Sequence, residues 1–203
     1  EFTMKKMDWK LKDILMVGLV GVLFSFLYLG MVYVGTGLTA ALTPFGLGPL
    51  GYEPIYGIWY MAGIFALYVI QKPGVGIVAE MLASLLEVLM GNMFGPRVFI
   101  TGAVQGFGSE LGFAVFRYQR YDMRSVLLSC LFTTIFSFLW NIYTSSYWAL
   151  QLWLVLLMLA VRIVSGLIIS GVITKALADG LAKSGVLKGY ALGRKYNNFD
   201  EAV

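Results

Sequence analysis

Residues 79–92 read AEMLASLLEVLMGN, an apolar run that holds two glutamates, Glu80 and Glu87, with no lysine or arginine between them. Seven residues make about two helical turns, so both carboxylates lie on one face, with Ser84 between them. The chain as a whole is nearly as apolar as this stretch. It is 59% hydrophobic and 13% charged, with a mean hydropathy of +0.80, against roughly 25% charged residues in a soluble domain. The composition therefore places the two acids in a membrane. A charged group there is costly and rare, and commonly marks a ligand or ion path.

Six apolar runs are long enough, or nearly so, to span a bilayer: 14–34, 55–71, 74–91, 98–116, 125–144 and 149–181. They lack the polar stripe of a soluble bundle and the alternation of a β-barrel. The fold class expected is all-α integral membrane, a six-transmembrane-helix bundle forming a single domain over residues 4–203 with a short cytoplasmic tail. Glu1, Phe2 and Thr3, which precede Met4, read as a cloning scar. Thirteen of the fifteen basic residues fall on one side of this topology, including Lys5, Lys6, Lys10, Lys12, Lys72, Arg117, Arg120 and Arg124. The positive-inside rule makes that side, and both termini, cytoplasmic. On the other side residues 35–54, GTGLTAALTPFGLGPLGYEP, form a long apolar connection between helices 1 and 2, a candidate lid.

Several chemistries are excluded. The sequence has no histidine and a single cysteine, Cys130, so His-based metal or triad chemistry and an internal disulfide are ruled out. No phosphate-binding loop motif is present, and no cofactor or nucleic-acid partner is implied. The basic pI of about 9.1 is accounted for by the charges that flank the spans, in contact with membrane lipid.

Counting inward from the outer helix ends at about 1.5 Å per residue puts Glu87 about 6 Å deep, Gln105 about 12 Å and Glu80 about 16 Å. Tyr56, Trp59, Trp140 and Asn141 fall in the same outer half. This suggests an outward-open binding pocket built from Glu80, Glu87, Ser84, Gln105, Tyr56, Trp59, Asn141 and Trp140. The bland alternatives are an interfacial belt for the aromatics and interhelical hydrogen bonds for Gln105 and Asn141. Glu110 and Arg162 are each 13 residues into a descending helix, and a structural ion pair between them would satisfy both. Small residues recur at four-residue spacing in helices 1 to 4, as at Gly21 and Ser25, and let backbones approach within the domain or against a partner.

The segments KLKDI (10–14), YGIWYMAG (56–63), KPGVGIVAEMLASLLEVLMGN (72–92), GAVQGFGSELGFAVFRY (102–118) and VRIVSGLI (161–168) resemble the YkoE family. Its members are S-components, the substrate-binding subunits of energy-coupling factor (ECF) transporters for thiamine and its hydroxymethylpyrimidine (HMP) precursor. The resemblance covers nearly the whole chain after Met4. It implies a partnership with a transmembrane coupling protein and ABC-type ATPases, and no catalysis in this subunit. Many S-components dock the coupling protein through Ala-x-x-x-Ala on helix 1; here Gly18, Gly21 and Ser25 supply small residues at comparable spacing. For such a ligand, Glu80 and Glu87 are the expected acids, Trp59 or Trp140 a stacking face, and Gln105 and Asn141 the orienting groups. Uptake by a stand-alone, proton-coupled carrier through the two glutamates is the alternative.

Overall fold

The computed structural model describes residues 8–200; Glu1 to Thr3, Lys5 and Lys6 lie outside the described residues. The chain begins with α1 (Leu11–Leu42), 32 residues long. The expected outer loop is thus shorter than its glycines suggest, because Gly35 and Gly37 continue the helix. Gly35 is buried, and a Cβ there would lie 2.3 Å from the Tyr52 ring. Its lack of a side chain serves close packing. Short 3-10 turns at Thr43–Phe45 and Gly48–Leu50 follow.

A 3-10 helix, Glu53–Tyr60, runs directly into α2 (Met61–Ile70). The expected 55–71 span is therefore two windings rather than one. Then come α3 (Val75–Leu89), α4 (Arg97–Ala114) and α5 (Met123–Thr144). The last long stretch is continuous but mixed: α6 (Leu152–Ser165), a π-helical segment (Gly166–Ile173) and α7 (Thr174–Lys183). A short helix, α8 (Ala191–Asp200), ends the described chain. Among the described residues there is no strand. Among the described residues, four stretches are long and apolar enough to cross a membrane: Leu11–Phe45, Gly48–Ile70, Met123–Thr144 and Leu152–Lys183.

The core sits around α2, all ten residues of which are buried. α4 is pressed between α3 and α5 through its glycines. A Cβ on Gly106 would come 2.7 Å from the Ile77 backbone, and one on Gly112 would come 2.2 Å from that of Ser129. The small-residue spacing at Ala62 and Ala66, and at Ala79 and Ala83, is likewise spent inside the domain, since all four are fully buried. So is most of the expected docking stripe on α1. Gly21 packs onto Leu82 of α3 and Ser25 is buried, which leaves only Gly18 with open space above it. α1 turns its bulky residues, among them Leu15, Leu19, Leu23 and Phe26, outward instead.

The π-helical segment has a local cause. Its wider winding brings Ser165 and Ser170, five residues apart, to one side. There Ser165 Oγ accepts from the Gly57 N–H at 3.0 Å and Ser170 Oγ donates to the Gly57 carbonyl at 2.5 Å. A Cβ on Gly57 would sit 2.5 Å from the Ser165 carbonyl oxygen. The 3-10 helix is thereby clamped to the last long stretch. At the basic end of the bundle, Lys72 pairs with Asp13 at 2.8 Å. Trp9 Nε1 donates to the Pro73 carbonyl at 3.0 Å and the Tyr190 hydroxyl to the Lys12 carbonyl at 2.9 Å. These contacts tie the start of α1 to the α2–α3 turn and to the segment before α8.

Candidate functional site

At the end opposite those lysines the helices enclose a cavity of about 160 Å³. α3 supplies Ser84 and Glu87, α4 supplies Thr101 and Gln105, and α5 supplies Asn141. The 3-10 helix supplies Tyr56 and Trp59, and α1 supplies Tyr28 and Val32. Pro49, Tyr52, Asn92, Phe94, Arg97 and Tyr147 are further lining residues. Tyr52, Tyr56 and Trp59 form a chain of tilted rings with centroids 5.8 to 6.1 Å apart. Asn141 Nδ2 donates to the Tyr56 hydroxyl at 2.6 Å and Gln105 Nε2 to Ser137 Oγ at 3.4 Å.

Six of the eight expected site residues meet here: Glu87, Ser84, Gln105, Tyr56, Trp59 and Asn141. Trp140 does not line the cavity. Its indole N–H donates to Thr101 Oγ1 at 2.9 Å, so it braces α5 against α4. Glu80 does not line it either. One of its oxygens accepts from the Tyr28 hydroxyl at 2.9 Å and the other from the Gly63 N–H at 2.7 Å. Gly63 belongs to the first turn of α2, where backbone N–H groups have no intrahelical partner and the helix dipole is positive. Glu80 thus caps another helix from the side, and Tyr28 stands between it and the cavity.

The expected Glu110–Arg162 pair is not formed, for the same reason. Glu110 accepts from the Gly76 N–H in the first turn of α3 at 2.8 Å and from the Tyr118 hydroxyl at 2.7 Å. A helix start answers its charge. Arg162 is held by Glu53 in a two-pronged contact, Nε to Oε2 at 2.5 Å and Nη2 to Oε1 at 2.6 Å, with both side chains fully buried. The guanidinium also lies 3.6 Å from the centre of the Tyr56 ring and donates to the Tyr147 hydroxyl at 3.3 Å. Glu53 went unnoticed because it lies in the connection read as a lid. The available signal was that a buried arginine needs a carboxylate.

Glu87 differs from these three acids. Its Oε1 accepts from Asn92 Nδ2 at 2.5 Å and from Trp59 Nε1 at 3.4 Å, while its Oε2 is buried with no partner. A buried carboxylate oxygen without a donor is costly. The cavity beside it is walled by aromatic rings and side-chain amides, surroundings suited to a flat, nitrogen-rich guest. Among the described residues no group of three or more His, Cys, Asp or Glu side chains could hold a metal ion.

Comparisons with known proteins agree on one group. The family model described as "ABC-type cobalt transport system, permease component" matches residues 12–136, more than half of the chain. A protein of Bacillus subtilis (strain 168) that carries the name HMP/thiamine permease protein YkoE is 37% identical over 188 residues, covering 93% of this chain and 92% of that one. A solved structure titled as an S-component of an ECF transporter superposes with a TM-score of 0.90 at 36% identity, covering 96% of both chains.

Proposed function

Because the chain belongs to the YkoE family of ECF-transporter S-components, we propose that its cavity captures thiamine or HMP from the external medium. As an S-component it is a multi-pass membrane protein and a substrate-binding transport subunit rather than an enzyme. The ECF coupling protein and ATPases belong to its assembly. ATP is hydrolysed on those partners.

The observation that carries the choice of ligand is the unpartnered Glu87 Oε2 in an aromatic-walled cavity. Both ligands bring an aminopyrimidine, which presents a ring nitrogen beside an amino group, and thiamine adds a cationic thiazolium. A carboxylate and side-chain amides suit the first, and a carboxylate with aromatic faces suits the second. A cobalt ion, the cargo named by the matching family model, is better served by imidazole or several anionic ligands. The sequence has no histidine, and Glu87 is the one carboxylate among the lining residues.

In this reading α3 and α4 also cross the bilayer, giving six crossings in one domain. The basic end faces the cytoplasm with both termini, and the protein resides in the bacterial cytoplasmic membrane, surrounded by lipid. The segment from Thr43 to Tyr52 covers the cavity as a lid, with Pro49 and Tyr52 among the lining residues. A proton-coupled carrier working through both Glu80 and Glu87 is less favoured, since Glu80 caps α2 behind Tyr28. Calorimetry on the purified protein tests the proposal. Thiamine and HMP are expected to bind the wild type, and absence of binding by both would end it.

A further inference from the structure

Two cations of the basic end converge on one uncharged atom. Lys12, in the first turn of α1, donates its ammonium to the Gly189 carbonyl, and Arg194, in the first turn of α8, donates Nη2 to the same oxygen at 3.4 Å. Arg194 is exposed and Lys12 partly so. Two donors on one acceptor stand within about two hydrogen-bond lengths of each other. The carbonyl accepts from both but cancels neither charge, and like charges this close repel. The acids of this end are engaged elsewhere. Asp13 is taken by Lys72 and the Lys10 N–H, Asp122 by Ser125, Asp179 by Lys175 and Tyr68, and Glu110 by Gly76 and Tyr118. Asp8 precedes the helix and, among the described residues, forms no ion pair with either cation. Their chain neighbours Lys10, Lys188 and Lys195 are exposed and add charge of the same sign. Tyr190 fixes the arrangement: its hydroxyl donates to the Lys12 carbonyl at 2.9 Å, and its ring centre lies 5.7 Å from the Lys12 ammonium.

A second observation lies along α1. Leu15, Leu19, Leu23 and Phe26 follow Lys12 at spacings of three, seven, eleven and fourteen residues, which keeps them on its face of the helix. All four are exposed. An apolar stripe therefore runs into the membrane from the paired cations for about 21 Å, enough for one leaflet of a hydrocarbon core about 30 Å thick.

A phosphate joined to a fatty chain answers both features. Lysine and arginine bind phosphate, arginine through two parallel hydrogen bonds, and the cytoplasmic leaflet carries the anionic lipid. We infer that Lys12 and Arg194 hold the phosphate of one anionic phospholipid, whose acyl chain lies along Leu15, Leu19, Leu23 and Phe26. The headgroup joins the start of α1 to α8, so the lipid fastens the C-terminal helix to the first span. This inference rests on the cytoplasmic placement of the basic end in the proposed function and is independent of the ligand in the cavity.

Native mass spectrometry on the purified protein, titrated with dioleoyl phosphatidylglycerol or dioleoyl phosphatidylcholine, tests it. One phosphatidylglycerol is expected to bind ahead of any phosphatidylcholine. Lys12→Gln/Arg194→Gln is expected to weaken that first event by at least about tenfold. Arg120→Gln/Arg124→Gln, which removes two exposed charges elsewhere on the same end, is expected to leave it nearly unchanged. Equal losses in the two pairs would mean diffuse charge attraction and overturn the site, as would a wild type with no preference for phosphatidylglycerol. Dihexanoyl phosphatidylglycerol is expected to bind more weakly than the dioleoyl lipid; equal binding would overturn the seat for the chain. Displacement of the lipid by inorganic phosphate would make the site one for the free anion and overturn the lipid assignment. Circular dichroism checks that the variants stay folded, and if the glutamine pair does not, the wild-type preferences for headgroup and chain length decide. A wild type that takes up phosphatidylglycerol but binds neither thiamine nor HMP removes the proposed ligand and leaves the lipid site standing.

Discussion

Glu80 and Glu87 stand seven residues apart on α3 and are equally buried, yet their surroundings differ. Glu80 has both oxygens engaged, by the Tyr28 hydroxyl and by the Gly63 N–H at the buried start of α2. Glu53 and Glu110 are closed in the same manner, one by Arg162 and the other by the start of α3 together with Tyr118. Glu87 keeps one oxygen open at the wall of a cavity. The difference teaches that an acid inside a membrane fold does not by itself mark a ligand. Helix starts inside the bundle consume such acids, and the informative acid is the one left incompletely answered.

The contrast can be broken by substitution, and the largest effect is expected where closure is tightest. Arg162→Leu leaves Glu53 buried and unpaired, and thermal unfolding should show a loss of about 3 to 5 kcal/mol. The paired change Glu53→Leu/Arg162→Leu should recover most of that loss; equal damage from both would mean that the pair is not the cause. Glu80→Ala strands the Tyr28 hydroxyl and the Gly63 N–H and should cost about 2 kcal/mol of stability. Glu87→Gln should reverse the pattern, with little change in stability and thiamine affinity reduced roughly tenfold or more by titration calorimetry. If Glu87→Gln unfolds the protein while Glu80→Ala does not, the two acids have been assigned the wrong way round. The smallest effect is expected at the wall's support. Ser170→Ala removes one interhelical hydrogen bond to Gly57 and should cost about 0.6 kcal/mol, read as a small drop in melting temperature.

Much of the architecture was legible from hydropathy, because long apolar runs permit little else in a membrane. The fifth expected span, 125–144, agrees with Met123–Thr144. Depth counting found six of the residues that line the cavity, since Gln105, Asn141, Tyr56 and Glu87 are polar or amphipathic groups at matching depth on neighbouring helices. It failed for Trp140 and Glu80, because depth says nothing about direction around a helix. It also failed for Arg162. The segment read as a loop folds back as the 3-10 helix, bringing Glu53 to a residue 109 positions away. Tyr28, Tyr52, Asn92 and Tyr147 were not expected in the wall. Tyrosine is common at membrane surfaces, and only the packing of α1 and the connections turns these side chains inward.

The doubly gripped amide of Gly57 makes the last long stretch sensitive to its length. An α-helix advances by about 100° per residue. Removing a single residue between Ser165 and Ser170 would leave the two hydroxyls on one face in ordinary winding, four residues apart, but adding one would set them six apart, where ordinary winding turns them about 120° away from each other. Everything beyond an added residue would turn with it by about 100°, carrying Asp179 away from the Tyr68 hydroxyl it holds at 2.8 Å. Insertions should therefore be far less tolerated between 165 and 174 than in the outer turns around 43–50, and any natural variant that lengthens the spacing must also have rebuilt the aromatic wall.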